Sequence, residues 1–330
     1  MSVITEYDSL LLDLDGTVYE GGRAIEHAVS SINSSGLPLM YVTNNASRAP
    51  EVVAEQLRDI GLDQTTAEHV MTSAQAACQM AAEKIPVGSR VYVLGTESFR
   101  DLARNAGFEV VDSADDQPQA VLHGHNPETG WAQLSEAALA INAGAQYFAS
   151  NLDSTLPMER GRHIGNGSMV AAVTHATGVT PLSAGKPGPA MFYAAAAALN
   201  STKPLAVGDR LDTDIAGGNA AGMDTFQVLT GVSGFYDLVY AVPEQRPTYI
   251  AASLQDLYSE PGSLRPGSQG GFKALIDGAT LVISGGDSSA GPTPIAALRT
   301  ALEKAWASTS PITDVRADSE LAAQALKNWW

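Results

Sequence analysis

Residues 10–17 read Leu10-Leu11-Leu12-Asp13-Leu14-Asp15-Gly16-Thr17, an apolar run that stops on two carboxylates one residue apart and passes at once into glycine and threonine. A short leucine run bounded by Asp and Gly predicts a buried central strand of a parallel sheet. Ligands of open α/β sheets sit beyond the carboxyl ends of the strands. Asp13 and Asp15 are therefore expected at the edge of the sheet where a ligand binds. On a strict strand, residues i and i+2 share a face, so the two anions would crowd together unless a cation or a shared proton separates them.

Working outward from this stretch, the same pattern of apolar strand followed by polar residues recurs. After a predicted helix over 24–35, Leu37–Val42 reads as a strand ending on Thr43-Asn44-Asn45, and Arg48–Ile60 as a helix with Pro50 in its first turn. Far along the chain, Gly185-Lys186-Pro187-Gly188-Pro189 leads into an alanine-rich helix, Ala190–Leu199. Leu205–Val207 is then a short strand that ends in Gly208-Asp209, followed by Asp212 and Asp214; a helix N-cap would explain Asp212 or Thr213 but not the whole acidic set.

Between these two groups, from about Thr72, a second unit is expected. Val91–Leu94, Phe108–Val111, Ala120–Leu122 and Gln146–Phe148 are strand candidates separated by helical stretches such as Trp131–Ile141. His123 and His125 have no third ligand at metal-site spacing and read as neutral histidines closing a strand. A polar loop holding Asn151, Asp153, Arg160, Arg162 and His163 ends in Gly165-Asn166-Gly167-Ser168, a turn able to hold an anion at the start of the helix Met169–His175.

Composition narrows the function classes. A length of 330 residues suggests about two domains on a prior of ~150 residues each. The net charge of −17 and pI near 4.6 argue against nucleic-acid and anionic-membrane partners, which need basic patches. They do not oppose a phosphate substrate, because a bound cation reverses the field inside one cleft. Cys78 is the only cysteine, which excludes an internal disulfide. The mixed, polar first nine residues and the lack of a long apolar run lead us to expect a cytoplasmic protein.

Residues 261–271, rich in Pro, Gly and Ser, read as a linker. Beyond it, Phe272–Ile276 and Thr280–Ile283 flank Asp277-Gly278, a hairpin signal, and two helices follow at Pro294–Trp306 and Ser319–Trp329. From residue 260 onward there are seven acidic and six basic residues, a net of −1, so nearly all of the −17 belongs to the earlier part. Three of the four tryptophans lie in this tail, and they are expected to pack against the main body or a second copy of the chain in a homodimer.

Taken together, the acid pair, the threonine, the lysine and the acid cluster fall at successive strand ends, and this order resembles the haloacid dehalogenase superfamily. The motifs that carry the resemblance are Asp13-Leu14-Asp15-Gly16-Thr17, Thr43-Asn44-Asn45, Lys186 within Gly-Lys-Pro, and Gly208-Asp209 through Asp214. The long insert before Lys186 is similar to a C2a-type cap, as in the 4-nitrophenylphosphatase-like branch. Asn151, Asp153, Pro157 and Gly165–Ser168 match that branch's cap signature. The tail resembles the partial acetyltransferase-like extension of bacterial enzymes acting on glycerol 3-phosphate.

The resemblance implies an α/β fold: a Rossmann-like doubly wound parallel-sheet core (1–72 and 181–259), an inserted α/β cap (73–180), a linker (260–271) and a small α+β extension (272–330). It implies a phosphomonoester hydrolase in which Asp13 is the nucleophile, Asp15 the general acid and base, and Lys186 and Thr43 stabilise the phosphoryl group. Mg²⁺ would be held by Asp13, the Asp15 carbonyl and Asp209, with Asp214 supporting it. Gly16, Thr43, Asn44, Asn45 and Lys186 would bind phosphate, and Asn151, Asp153, Arg160 and Arg162 the rest of the substrate. Glycerol 3-phosphate is the expected substrate. Phosphoglycolate or another small phosphomonoester (sugar, nucleotide or pyridoxal phosphate) is the alternative, and a non-catalytic sensor of a phosphorylated metabolite is the rival from another class.

Overall fold

The computed structural model describes residues 2–158, 160–289, 293–327 and 329; Trp330, one of the tail tryptophans, lies outside them. The architecture is α/β, with a parallel-sheet core, an α/β cap that has its own parallel sheet, and a small α+β C-terminal extension. The chain divides into two compact units, residues 1–39 with 199–330, and residues 40–198.

In the first unit four parallel strands lie in the order Tyr249–Ala251, Asp224–Val228, Pro204–Gly208, Ser9–Leu12. Ser9–Leu12 and Pro204–Gly208 are buried along their whole length, which is why their sequences are apolar without alternation. The register pairs Leu12 with Val207, and the Asp13 N–H donates to the Val207 carbonyl at 2.8 Å. Both strands therefore end level, and Asp13 and Asp209 emerge at the same edge. The helix predicted over 24–35 is shorter, Ala28–Ser34, because Tyr19–Glu20 and Arg23–Ala24 pair as a small antiparallel ladder around Gly21 and Gly22, both at positive φ.

The tail belongs to this unit. Phe272–Asp277 and Thr280–Gly285 form the expected hairpin, and Asp314–Ala317, not foreseen in the sequence, adds a parallel third strand. Helices Pro294–Ala305 and Glu320–Leu326 join Phe272, Leu281, Ile283, Leu298, Leu302 and Trp329 into one apolar core with Leu211, Ile215, Leu238 and Ile250. Trp306 Nε1 donates to the Leu238 carbonyl at 2.8 Å, Trp329 stacks on Phe235 at 6.0 Å, and the buried Arg299 donates through Nε to the Ile250 carbonyl at 2.9 Å. Trp306 and Trp329 thus pack on the main body, as their apolar rings require.

In the second unit Leu39–Thr43 pairs parallel with Val70–Thr72. A separate five-stranded parallel sheet runs Leu182–Ser183, Gln146–Ala149, Ala120–His123, Arg90–Leu94, Glu109–Val111. Helices Trp131–Asn142 and Asn166–Thr177 bury Ala137, Ala140, Val170 and Val173 against Tyr92, Val121 and Tyr147. Thr155–Met158 and Gly161–Ile164 form an antiparallel hairpin. Among the described residues no helix is long and apolar enough to cross a membrane.

Candidate active site

The strand that begins at Ser9 ends at Leu12, and Leu14 already opens a turn: its carbonyl accepts from the N–H groups of Thr17, Val18 and Tyr19. Gly16 takes φ 84°, a conformation open to glycine. Asp13 and Asp15 therefore do not share the face of one strict strand. Asp13 is half-buried at the strand end, while Asp15 is exposed and bridges to Tyr19.

The carboxylates that come together are those of Asp13, Asp209 and Asp214, with one oxygen of each within 4.8 Å of the others. Asp209 is fully buried, its Oδ2 accepting from the Val232 N–H at 2.6 Å and its carbonyl from Gln227 Nε2 at 2.7 Å. Asp214 is turned inward by a π-helical turn, Leu211–Ile215, and accepts from the Arg210 N–H at 3.1 Å. Asp212, in the same acidic run, points outward to pair with Arg210. A Cβ on Gly208 would lie 2.2 Å from the Asp214 Cβ, so the glycine before Asp209 is what lets Asp214 close over the strand end.

Three carboxylates this close, two of them buried, are unfavourable without a compensating cation. An all-oxygen donor set suits a hard divalent ion such as Mg²⁺ or Ca²⁺, so the residues fit the metal expected from the sequence. Among the described residues this is the one group of three or more His, Cys, Asp or Glu side chains so placed. Sequence reading missed the loop that builds it. Thr230 Oγ1 donates to the Gly16 carbonyl at 2.6 Å, and a Cβ on Gly231 would lie 2.0 Å from Asp209 Oδ2. The signal was present, since Asp224–Val228 passes into Thr230-Gly231-Val232-Ser233-Gly234, again an apolar strand followed by small polar residues.

In the second unit Thr43 ends its strand buried, and its Oγ1 accepts from the Asn45 N–H at 3.2 Å. Asn45 Oδ1 accepts from the Ser47 N–H and hydroxyl. Lys186 is 4% exposed, and its Nζ donates to the Val42 carbonyl at 2.9 Å. Asn44 bonds both to the Lys186 backbone and to Asp153. Asn151 is buried and donates to the Asn44 carbonyl at 2.8 Å. Arg160, Arg162 and His163 lie exposed on the hairpin that closes after Met158.

The glycine amides of the Gly165–Ser168 turn are not presented to an anion: Gly165 N–H donates to the Ser154 carbonyl and Gly167 N–H to the Asp153 carbonyl, both at 2.9 Å. A Cβ at either glycine would lie within 2.2 Å of those loop carbonyls or that of Leu152, so the glycines serve backbone-to-backbone packing. His123 closes its strand as a buried neutral imidazole, pushed down to about 3 by burial, with Nδ1 2.8 Å from the Tyr147 hydroxyl.

Two sequence families match the chain: haloacid dehalogenase-like hydrolase over residues 10–109, and HAD-hydrolase-like over 183–257. The matches contain Asp13, Thr43, Lys186, Asp209 and Asp214. The chain is a haloacid dehalogenase-like hydrolase. A relative within this family is the D-glycerol 3-phosphate phosphatase of Mycobacterium tuberculosis, 45% identical over 287 residues, 87% of this chain and 81% of that protein. The acid sugar phosphatase of Staphylococcus aureus is 36% identical over 77% of this chain and 98% of its own length. Among solved structures, glycerol phosphate phosphatase from Mycobacterium tuberculosis in complex with magnesium superposes with a TM-score of 0.94 at 42% identity, covering 100% of this chain and 98% of that one. This haloacid dehalogenase-like hydrolase thus shares its tail with the mycobacterial protein.

Proposed function

We propose that the chain is a Mg²⁺-dependent phosphomonoester hydrolase that forms an aspartyl-phosphate on Asp13 and takes glycerol 3-phosphate as its substrate. The observation that carries this reading is the cluster of half-buried Asp13 with buried Asp209 and Asp214 in a chain 45% identical to a D-glycerol 3-phosphate phosphatase. Asp13 Oδ attacks phosphorus while the ester P–O bond breaks, and Asp15 gives its proton to the leaving alkoxide. Water then attacks the phosphorus of the acyl phosphate, Asp15 takes the water proton, and Asp13 is released with inorganic phosphate. Asp13, the Asp15 carbonyl and Asp209, with Asp214 in support, would hold Mg²⁺, which would supply charge neutralisation at the phosphoryl oxygens. Lys186 and the Thr43 hydroxyl are assigned to the same oxygens from their motif positions.

Residues 1–72 with 181–259 are assigned as the catalytic core, 73–180 as the cap, 260–271 as the joining segment and 272–330 as the extension. Gly16, Asn44 and Asn45 are assigned to the phosphate-binding segments from their motif positions, and Asn151 and Asp153 to recognition of the glycerol part. A cytoplasmic enzyme is expected, with a homodimer as the assembly to be measured by light scattering.

The test is phosphate release from a panel of small phosphomonoesters. Glycerol 3-phosphate should give the highest kcat/KM, Asp13→Asn should be folded and inert, and a chelator should abolish turnover until Mg²⁺ is restored. Full activity in Asp13→Asn or in chelator would overturn the chemistry. A higher kcat/KM for phosphoglycolate, lost in Arg160→Ala or Arg162→Ala, would overturn only the substrate.

A further inference from the structure

We infer that the Asn44 side chain is a positioning element: it fixes Lys186 by its backbone and couples that lysine to the cap loop through Asp153. The inference rests on the phosphatase reading for what Lys186 does in turnover, but not for how Lys186 is held.

The geometry is a two-point clamp. Asn44 Oδ1 accepts from the Lys186 N–H at 2.8 Å, and Asn44 Nδ2 donates to the Lys186 carbonyl at 3.0 Å. One planar amide thus grips the peptide groups on both sides of the Lys186 Cα, which sets the direction in which the side chain leaves the backbone. The far end is tied to the same segment, since Lys186 Nζ donates to the Val42 carbonyl at 2.9 Å, two residues before Asn44. A lysine has a long, freely rotating stem, and fixing both of its ends removes most of the positions its ammonium would otherwise sample.

The same amide has a second arm. Asn44 Nδ2 lies 3.2 and 3.3 Å from the two carboxylate oxygens of Asp153, a charge-assisted contact. The Asn44 carbonyl also accepts from Asn151 Nδ2 at 2.8 Å and from Ser73 Oγ at 2.6 Å. Gly185 shows how tightly this joint is closed: a Cβ there would lie 2.6 Å from the Ser150 carbonyl and 2.9 Å from Asn44 Oδ1. A movement of loop 151–153 therefore pulls on the amide that holds Lys186. Only asparagine supplies a donor and an acceptor at this reach. Aspartate keeps the acceptor for the Lys186 N–H but loses the donor to the Lys186 carbonyl and turns an anion toward Asp153, and alanine removes both arms.

The experiment uses the full chain and the variants Asn44→Ala, Asn44→Asp, Gly185→Ala, and Asn44→Asp combined with Asp153→Asn, with thermal unfolding as the check of folding. Two readouts are taken: steady-state kinetics, and the rate at which an amine-reactive ester labels Lys186, followed by mass spectrometry. Asn44→Ala and Asn44→Asp should lower kcat by about 30- to 100-fold with KM changed less than about threefold, as misplacement of an active group does. Lys186 labelling should rise at least about tenfold as the clamp opens. The reciprocal exchange restores a donor–acceptor pair across the joint and should recover about tenfold of the kcat lost in Asn44→Asp; a merely structural asparagine would not predict that rescue.

Parent-like kcat and labelling in Asn44→Ala, or a rise in KM at unchanged kcat, would overturn the clamp. Absence of recovery in the reciprocal exchange would overturn the coupling to Asp153. Should Asn44→Ala not fold, the isosteric Asn44→Asp and the steric Gly185→Ala decide by the same readouts. If the parent hydrolysed no phosphomonoester, the phosphatase reading would fail, and the labelling rates would still judge the clamp.

Discussion

Gly231→Ala isolates the geometry of one carboxylate without touching any charge. Gly231 does not occupy the left-handed region, so an alanine meets no backbone penalty there; the new Cβ instead lies 2.0 Å from Asp209 Oδ2, 2.4 Å from its Cγ and 2.6 Å from its Cβ. Ordinary contact begins near 3.4 Å, so the two groups must separate by 3.4 − 2.0 = 1.4 Å. Neither moves alone, because Val232 N–H holds Asp209 Oδ2 at 2.6 Å and Ser233 N–H holds its carbonyl at 3.1 Å. Displacing an active group by about 1 Å costs on the order of 10²-fold in rate, and overpacking of this kind destabilises by about 1–3 kcal/mol. We expect kcat/KM to fall about 10²-fold and the Mg²⁺ concentration for half-activation to rise, measured by phosphate release across a metal titration. Gly234→Ala, whose Cβ meets nothing nearer than Asp237 at 3.9 Å, is the control and should behave as the parent. Parent-like kinetics and metal dependence in Gly231→Ala would refute the placement of Asp209 as a metal-holding group.

Asp15→Asn should slow alkyl esters more than activated aryl phosphates, because a good leaving group needs less protonation; equal losses would remove Asp15 as the general acid. His123 is held at about 3 against an ordinary 6.5, so the unfolded chain binds a proton that the folded chain refuses. Its contribution is complete above pH 6.5 and is lost as pH falls toward 3, with a slope of up to ~1.4 kcal/mol per pH unit that His123→Phe should flatten in denaturant titrations. Arg299→Met leaves the buried Ile250 carbonyl without its donors, and should cost about 1–3 kcal/mol in unfolding experiments with kcat within twofold of the parent. An unchanged thermal midpoint would mean that the tail is not held by this contact.

The Leu10–Leu12 run and Leu205–Val207 were readable as buried strands because strand burial is written in continuous apolar residues, and the carboxylates beyond them followed from where such strands must stop. The order of motifs then pointed to the family, and the Asp-Gly hairpin of the tail was legible from its turn chemistry. What local pattern did not decide was the direction of side chains after a strand has ended. Asp212 and Asp214 are two residues apart in one acidic run, yet the π-helical turn sends Asp214 inward and leaves Asp212 on the surface with Arg210.

The Thr230–Ser233 loop and Asn44 show the same limit at longer range. Gly231 is small because Asp209 lies against it, and Gly185 because Asn44 and Ser150 do; in both cases the reason lies on a segment remote in sequence. The tail tryptophans were recognisable as residues needing cover, but the partner surface of Leu238, Phe235 and Ile250 exists only once the strands around Tyr249 are in place. Sequence by itself therefore determined the strands, their polar ends and the chemistry those ends can do, since these depend on periodicity and residue type. Tertiary structure alone decided which polar groups converge, because convergence depends on close contacts between segments that local sequence does not encode.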